Sequence, residues 1–242
     1  MKKKILTLSM LFMSIFAFQS CIWWWGPGRP IGPIGPGGGE GPGGGGGGDI
    51  PEEVDPRIDN VVPDDIRDKM EDYMPIYNGT TPPTIDGIYL VSPVKLVYDS
   101  FDNLPVGWED AEPMIMHFFN QNTTNNTLSY EMKEGDELTE QSSQVNISGS
   151  GKNFTVYFNS TGTYLGSPVK QAIVISGTKT DTGLSNVFYG NVVLNQVGLL
   201  PAGTYRVFKD GDGNSPTTTW PSSARALSGQ STDWSKSIFA VK

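Results

Sequence analysis

Followed by its alternation of apolar and polar positions, the chain from Gly87 onward repeats one unit. Five to ten residues rich in Val, Ile, Tyr, Phe and Thr are closed by Gly, Asn, Asp or Pro. The first kind suits a pleated, half-buried surface and the second suits turns. The pattern predicts strands over Gly87–Tyr98, Met114–Asn120, Thr127–Lys133, Glu140–Ser148, Phe154–Asn159, Val169–Thr178, Val187–Gln196, Thr204–Phe208 and Ser237–Val241. The two-residue period puts Met114, Met116 and Phe118 on one face, likewise Leu128, Tyr130 and Met132, and Phe154, Val156 and Phe158; these are the predicted core positions. Their mix of Met, Tyr and Phe suits either a filled core or the lining of a ligand cavity. Asp64–Met74 reads differently. It opens with acids, spaces Ile66, Met70, Tyr73 and Met74 at helical intervals and stops at Pro75, so it predicts a short helix. No helix-length amphipathic segment lies between the strands, which excludes a parallel α/β fold. The expected fold is mainly β: an antiparallel up-and-down β-barrel of about eight to nine strands with one short N-terminal helix, or alternatively a β-sandwich.

Before this region the pattern fails. Met1–Ser20 carries a Lys2-Lys3-Lys4 head and an apolar run from Ile5 to Phe18, the layout of a secretory leader. That run is too short to span a hydrocarbon core comfortably, and nothing later in the chain reaches the length required, about 20 residues. From Gly26 to Gly48 the chain is nearly all Gly and Pro. It has no apolar surface to offset the backbone entropy of ordering, so it is expected to be a disordered spacer that gives the domain reach. Its glycines follow no strand and precede no helix, so they do not make a nucleotide-binding loop. The expected organisation is a signal peptide over 1–20, an anchor and tether over 21–62, and a barrel-like domain over 63–242.

Cys21 is the only cysteine, so no intramolecular disulfide can form. The residues Phe18-Gln19-Ser20-Cys21 resemble the lipobox of bacterial lipoproteins, in a looser version similar to that of Bacteroidetes outer-membrane lipoproteins of uncharacterised function. The resemblance implies cleavage before Cys21 and lipid attachment (diacylglyceryl and palmitate-type acyl chains) to its sulfur. More than one acyl chain gives the stable membrane anchoring that a single chain does not. Ile22-Trp23-Trp24-Trp25 suits the bilayer boundary, where an indole buries its ring and keeps its N–H wet. The implied location is the outer membrane. In the group that this chain resembles, acidic residues directly after the cysteine look like a surface-export signal, so their absence here implies the periplasmic face, while the long tether points to the cell surface and the side stays open.

Charge narrows the partners. Without the leader lysines the chain carries 14 basic against 26 acidic side chains, a net −12. No Lys/Arg cluster remains to bind phosphates, which disfavours nucleic acid. Of the acids, 22 lie between Glu40 and Glu140, which reads as a solvated acidic tether and rim.

From Asp86 onward the layout resembles lipocalin-like, or calycin, barrels: a short helical turn, then Gly87-Ile88-Tyr89 opening the first long strand, then successive hairpins. Tyr89 stands where that family carries tryptophan, and the family's barrel-closing arginine has no evident counterpart. The resemblance implies a small apolar or amphipathic ligand in the barrel mouth.

Catalytic chemistry is sparse. His117 is the only histidine and lies in an apolar strand with no nucleophile motif beside it, so a structural role is expected. Glu109 with Asp110, and Glu134, Asp136 and Glu137, fall in charge-dense stretches that read as solvated loops rather than a glycosidase pair. Asp210, Asp212 and Asn214 set oxygen ligands at alternate positions, a weak candidate for a hard cation such as Ca²⁺. The pattern departs from an EF-hand at Ser215 and Pro221, and a hairpin turn of Asp-Gly type is the simpler reading. Tyr89, Trp108, Tyr157, Tyr189 and Trp220 are plausible stacking groups. The sequence therefore predicts a non-enzymatic binding module, without a cofactor, for a small apolar or amphipathic ligand or a glycan. The alternative is a structural or adhesive envelope protein making protein contacts.

Overall fold

The computed structural model of the chain describes residues 55–109, 111–135, 137–221 and 232–233. The expected leader, Cys21, the tether up to residue 54 and the strand predicted over Ser237–Val241 lie outside the described residues, as do Asp110 and Asp136.

Two short helices, α1 (Pro56–Asp59) and α2 (Asp64–Glu71), precede the strands. The strands are β1 (Gly87–Val91), β2 (Val94–Asp99), β3 (Met114–Asn122), β4 (Thr127–Glu134), β5 (Glu137–Ser150), β6 (Asn153–Tyr164), β7 (Ser167–Lys179), β8 (Gly183–Val193), β9 (Tyr205–Asp210), β10 (Asn214–Pro216) and β11 (Thr232–Asp233). They form one sheet ordered β1-β3-β4-β5-β6-β7-β8-β9-β2, antiparallel throughout this path. The path curls into a nearly closed antiparallel barrel, not two stacked sheets.

The closure explains why one predicted strand is two. Gly87–Tyr98 breaks at Ser92-Pro93, where proline removes a ladder donor. Its first half pairs with β3 and its second with β9, so the same stretch serves both ends of the sheet. The last hairpin is divided in the same way: Phe188–Val192 of β8 pair with β9, whereas Gly183–Ser185 pair with β10. A bridge between Thr217 and Tyr89 and a bond from the Thr218 N–H to the Ile88 carbonyl (2.9 Å) then join that second half to β1. Elsewhere, paired register between β5 and β6 ends at Asn146 and Tyr157, and β11 runs parallel to β6 beyond it, at Gly162 and Thr163.

Apolar side chains divide between two cores. Met114, Met116, Phe118, Leu128, Tyr130, Met132, Phe154, Val156 and Phe158 all point inward, as the alternation predicts, and fill the barrel with Ile173, Ile175, Tyr189 and Phe208. The second core lies outside the barrel. Ile58, Val62, Ile66, Met70 and Met74 pack on the outer faces of Tyr157, Ala172, Val174, Val192 and Val207. Gly190 makes this possible, because a Cβ there would stand 2.4 Å from the Met70 Cε.

The N-terminal expectations need two corrections. There are two helices among the described residues, not one. The folded body also begins before residue 63: Val62 and Ile58 are fully buried, and α1 is clamped in place. Asp55 caps the Arg57 N–H, pairs with the Arg57 guanidinium and accepts a bond from the Tyr157 hydroxyl (2.6 Å). Arg57 in turn donates to the carbonyls of Asn125, Asn126 and Ile147 on the barrel. Burial alone would raise the Asp55 carboxyl, but the Arg57 and Tyr157 hydrogen bonds outweigh it and hold the group below its ordinary value.

Candidate functional site

Two turns that are distant in sequence meet at one rim of the barrel. The β6–β7 turn supplies Tyr164, Leu165 and Ser167, the β8–β9 connection supplies Val197, Gly198, Leu199 and Leu200, and Phe101 joins them from the segment after β2. Together they line an apolar cavity of about 400 Å³, within the range of small-molecule sites. Reciprocal bonds between the backbones of Val197 and Leu200 (3.0 Å each) hold Gly198 and Leu199 at the tip of one lip. On the other lip Leu165 (φ 49°) and Gly166 (φ 77°) both have positive φ, as in a type I′ hairpin.

Below the cavity the barrel is sealed. Tyr164 and Leu200 also border a void of only about 10 Å³ walled by Val169, Gln171, Asn191, Val193 and Arg206, at the limit of a single water. Arg206 forms an ion pair with Asp99 (Nε to Oδ1, 3.2 Å), both buried, and donates to Asn103 Oδ1 at 2.7 Å. The Asn191 amide donates to Gln171 Oε1 at 3.1 Å. The floor is thus polar but internally neutralised. The interior arginine is Arg206, whereas Tyr89, in the position that the calycin resemblance singles out, donates to the Ile85 carbonyl (3.1 Å) and packs near Phe118.

The barrel interior also holds Glu140, only 1% exposed. Burial pushes its carboxyl well above the ordinary value and the nearby Glu134 adds to that, while a hydrogen bond from the Tyr189 hydroxyl opposes it. Burial likewise raises Tyr130 and Tyr189, with Glu140 as the next cause for each. This acid escapes a reading by composition because it follows the charged stretch Glu134–Glu137.

The residues singled out from sequence do not converge on one site. Tyr89 and Tyr189 are in the barrel core, Tyr157 lies under α1, Trp108 packs against the barrel core, and Trp220 lies by His117. His117 points outward, bonded through Nδ1 to Glu131 Oε1 (2.8 Å) and stacked on Phe119. Glu109 pairs with Lys95 at 2.5 Å. Glu134 is buried, not solvated as its charged surroundings suggest. Asp210 turns inward to accept at Oδ2 from the Ser215 hydroxyl (2.5 Å), while Asp212 accepts at Oδ1 from the Asn214 N–H (2.8 Å), so one oxygen of each serves the turn itself. Burial and the neighbouring Asp212 raise Asp210 despite the Ser215 bond. Among the described residues, no cluster of three or more His, Cys, Asp or Glu side chains is arranged to hold a metal ion.

A second, more polar groove of about 670 Å³ crosses the outside of β3, β4 and β5, lined by Phe119, Asn120, Ser129, Glu131, Gln141 and Ser143 among others. Phe119, His117 and Trp220 form a series of rings beside it, with centroids 4.6 and 5.5 Å apart. Comparison of the chain with models of known protein families, with curated proteins and with solved structures finds no match.

Proposed function

We propose that this chain is a non-enzymatic binding module of the cell envelope, held to the outer membrane through a lipid on Cys21, that takes a small apolar or amphipathic ligand at the barrel rim. The observation that carries the reading is the 400 Å³ cavity walled by Phe101, Tyr164, Leu165, Val197 and Leu200. Such a surface favours hydrocarbon because water leaves both partners on contact. The sealed floor makes the site a shallow one, in which the apolar end of a ligand enters and a polar end stays in solvent.

The neutral dye N-phenyl-1-naphthylamine tests this. Saturable fluorescence enhancement is expected, weakened by about thirtyfold in Phe101→Ser, which removes about two kcal/mol of apolar contact. A protein that gives no saturable signal refutes the reading. The anchor is tested separately: Cys21→Ala should leave the fold intact and release the protein from membrane fractions, and retention there counts against lipidation.

A saccharide in the outer groove is the second reading, supported by the ring series Phe119, His117 and Trp220 beside amide and hydroxyl side chains. A sugar offers an apolar C–H face to such rings and hydroxyls to such polar groups. Loss of glycan binding in Phe119→Ala, with dye binding at the rim unchanged, would favour it.

A further inference from the structure

Among the described residues, three large apolar side chains stand out in solvent, and two of them, Leu199 (91% exposed) and Leu165 (74%), are the lips of the same cavity. Neither position is comfortable for leucine. At both, the apolar surface faces water, and at Leu165 the backbone has φ 49°, a left-handed conformation that asparagine or glycine adopts at lower cost. The two lips that carry them are free of charged side chains. Ser160 to Pro168 and Leu194 to Thr204 contain no Asp, Glu, Lys or Arg, in a chain whose net charge is −9. The buried Arg206 and Asp99 below are paired with each other.

From these observations we infer that the rim is a lipid-docking surface: Leu165 and Leu199 enter the apolar boundary of a bilayer and bring the cavity mouth against it, so that the ligand is the hydrocarbon chain of a membrane lipid. The inference rests on the cavity being a binding site and adds where the ligand comes from. The charge pattern selects this occupant. A cationic partner would be met by carboxylates, and an acidic one by lysines or arginines, and neither side chain lies on the two lips. An acidic protein approaching an anionic bilayer is repelled everywhere except at such an uncharged end. The exposed leucines then gain by leaving water, as apolar residues of interfacial segments do. The sealed floor completes the geometry, because it stops an acyl chain at the rim and leaves its headgroup at the membrane surface.

The test uses the full chain with Cys21→Ala in every arm, so that no acyl anchor contributes. Phosphatidylcholine vesicles carry a phosphatidylcholine with a pyrene-labelled acyl chain, and removal of single labelled lipids is followed as loss of excimer emission. Binding of N-phenyl-1-naphthylamine from solution is measured in parallel. Uptake from vesicles is expected to fall by more than about tenfold in Leu199→Asp and in Leu165→Asp, because a carboxylate in place of an inserted leucine opposes entry to the bilayer. The dye affinity of Leu199→Asp is measured alongside, and uptake is expected to fall at least about fivefold further than dye binding does, since that leucine side chain lies almost wholly in solvent; equal falls in the two would count against docking. Leu199→Trp should retain uptake, because indole suits the interface, and added salt should leave the rate unchanged. Uptake equal in Leu199→Asp and the parent, uptake abolished by salt, or dye binding without uptake from vesicles would each overturn the inference while the cavity reading stands. Absence of dye binding would remove both.

Discussion

Replacing Glu140 by glutamine should stabilise the protein, and by an amount that grows with pH. The buried carboxyl is held well above its ordinary value of 4.5, first by desolvation and then by Glu134. Between 4.5 and its raised value, the side chain is protonated in the folded state and ionised in the unfolded one. Unfolding then releases one proton, so this group lowers the unfolding free energy by about 1.4 kcal/mol for each pH unit. The stability associated with the protonated acid is complete below pH 4.5 and is lost as pH rises toward the folded value. Glutamine has nearly the same shape, can still accept from the Tyr189 hydroxyl and does not titrate. Urea unfolding of parent and Glu140→Gln at pH 5.5, 6.5 and 7.5 isolates the effect, since groups that titrate alike in both proteins cancel in the difference. Over those two pH units the advantage of the variant should widen, with about 2.7 kcal/mol as the ceiling that one proton sets, equivalent to at most roughly 5–11 °C in midpoint for a domain of this size. A difference that stays constant with pH, or a variant less stable than the parent at pH 7.5, would show that Glu140 is already ionised in the fold and refute the reasoning.

Other perturbations probe the remaining supports. Asp99→Ala should cost about 3–5 kcal/mol by leaving the Arg206 guanidinium buried without its carboxylate, measured by chemical denaturation; a loss below about 1 kcal/mol would mean the pair is not desolvated. Asp55→Asn should destabilise the protein at neutral pH. Because the Asp55 carboxyl is held below 3.8, the stability that it contributes is present above that value and is lost as pH falls through the lowered one. Parent and variant should therefore converge in acid, and unfolding curves that stay equally far apart down to pH 2 would contradict the clamp. Gly183→Ala puts a Cβ 2.4 Å from the Ser215 carbonyl oxygen, so β10 must move and the Tyr89–Thr217 closure should loosen. Hydrogen exchange at the Thr218 N–H should accelerate while the β6–β7 pairing stays protected; uniform protection would mean that the closure tolerates the methyl group.

The barrel was legible in the sequence where side chains alternate strictly, and less so where they do not. Met114–Phe118 and Phe154–Phe158 announce their inward faces because every second residue is large and apolar. Glu140 is hidden for a physical reason. The β4–β5 register shifts between Met132 and Lys133, pairing Met132 with Glu140 but Lys133 with Leu138, and a one-residue slip changes which face a side chain takes. The acid therefore faces inward after a stretch of surface-like composition. The helix α1 has only four residues, too short for a periodic signal. Its place depends on the bond from Tyr157 to Asp55 across 102 residues. The rim cavity has no local signature because its two lips are separated by about thirty residues of β7 and β8. One trace of it was present: Leu165-Gly166 occupies a two-residue hairpin where Asn-Gly is the ordinary choice.

The two polar layers inside the barrel bear on what the rim can hold. A long channel through the centre would let a ligand thread past the core, but here Arg206 pairs with Asp99 and Asn191 with Gln171 beside a void too small for more than one water. Driving a charged headgroup into that layer would break the Arg206–Asp99 pair and leave a buried charge without compensation, at a cost of several kcal/mol. A hydrocarbon end meets no such penalty at Leu200 and Tyr164 and cannot go deeper without breaking the same bonds. Depth and polarity therefore select the same orientation, apolar end inward and polar end at the lips. A lipid seated in a bilayer reaches that orientation only when its chain bends out of the leaflet toward Leu165 and Leu199, so uptake by the docked protein should slow with tighter acyl packing in the vesicle.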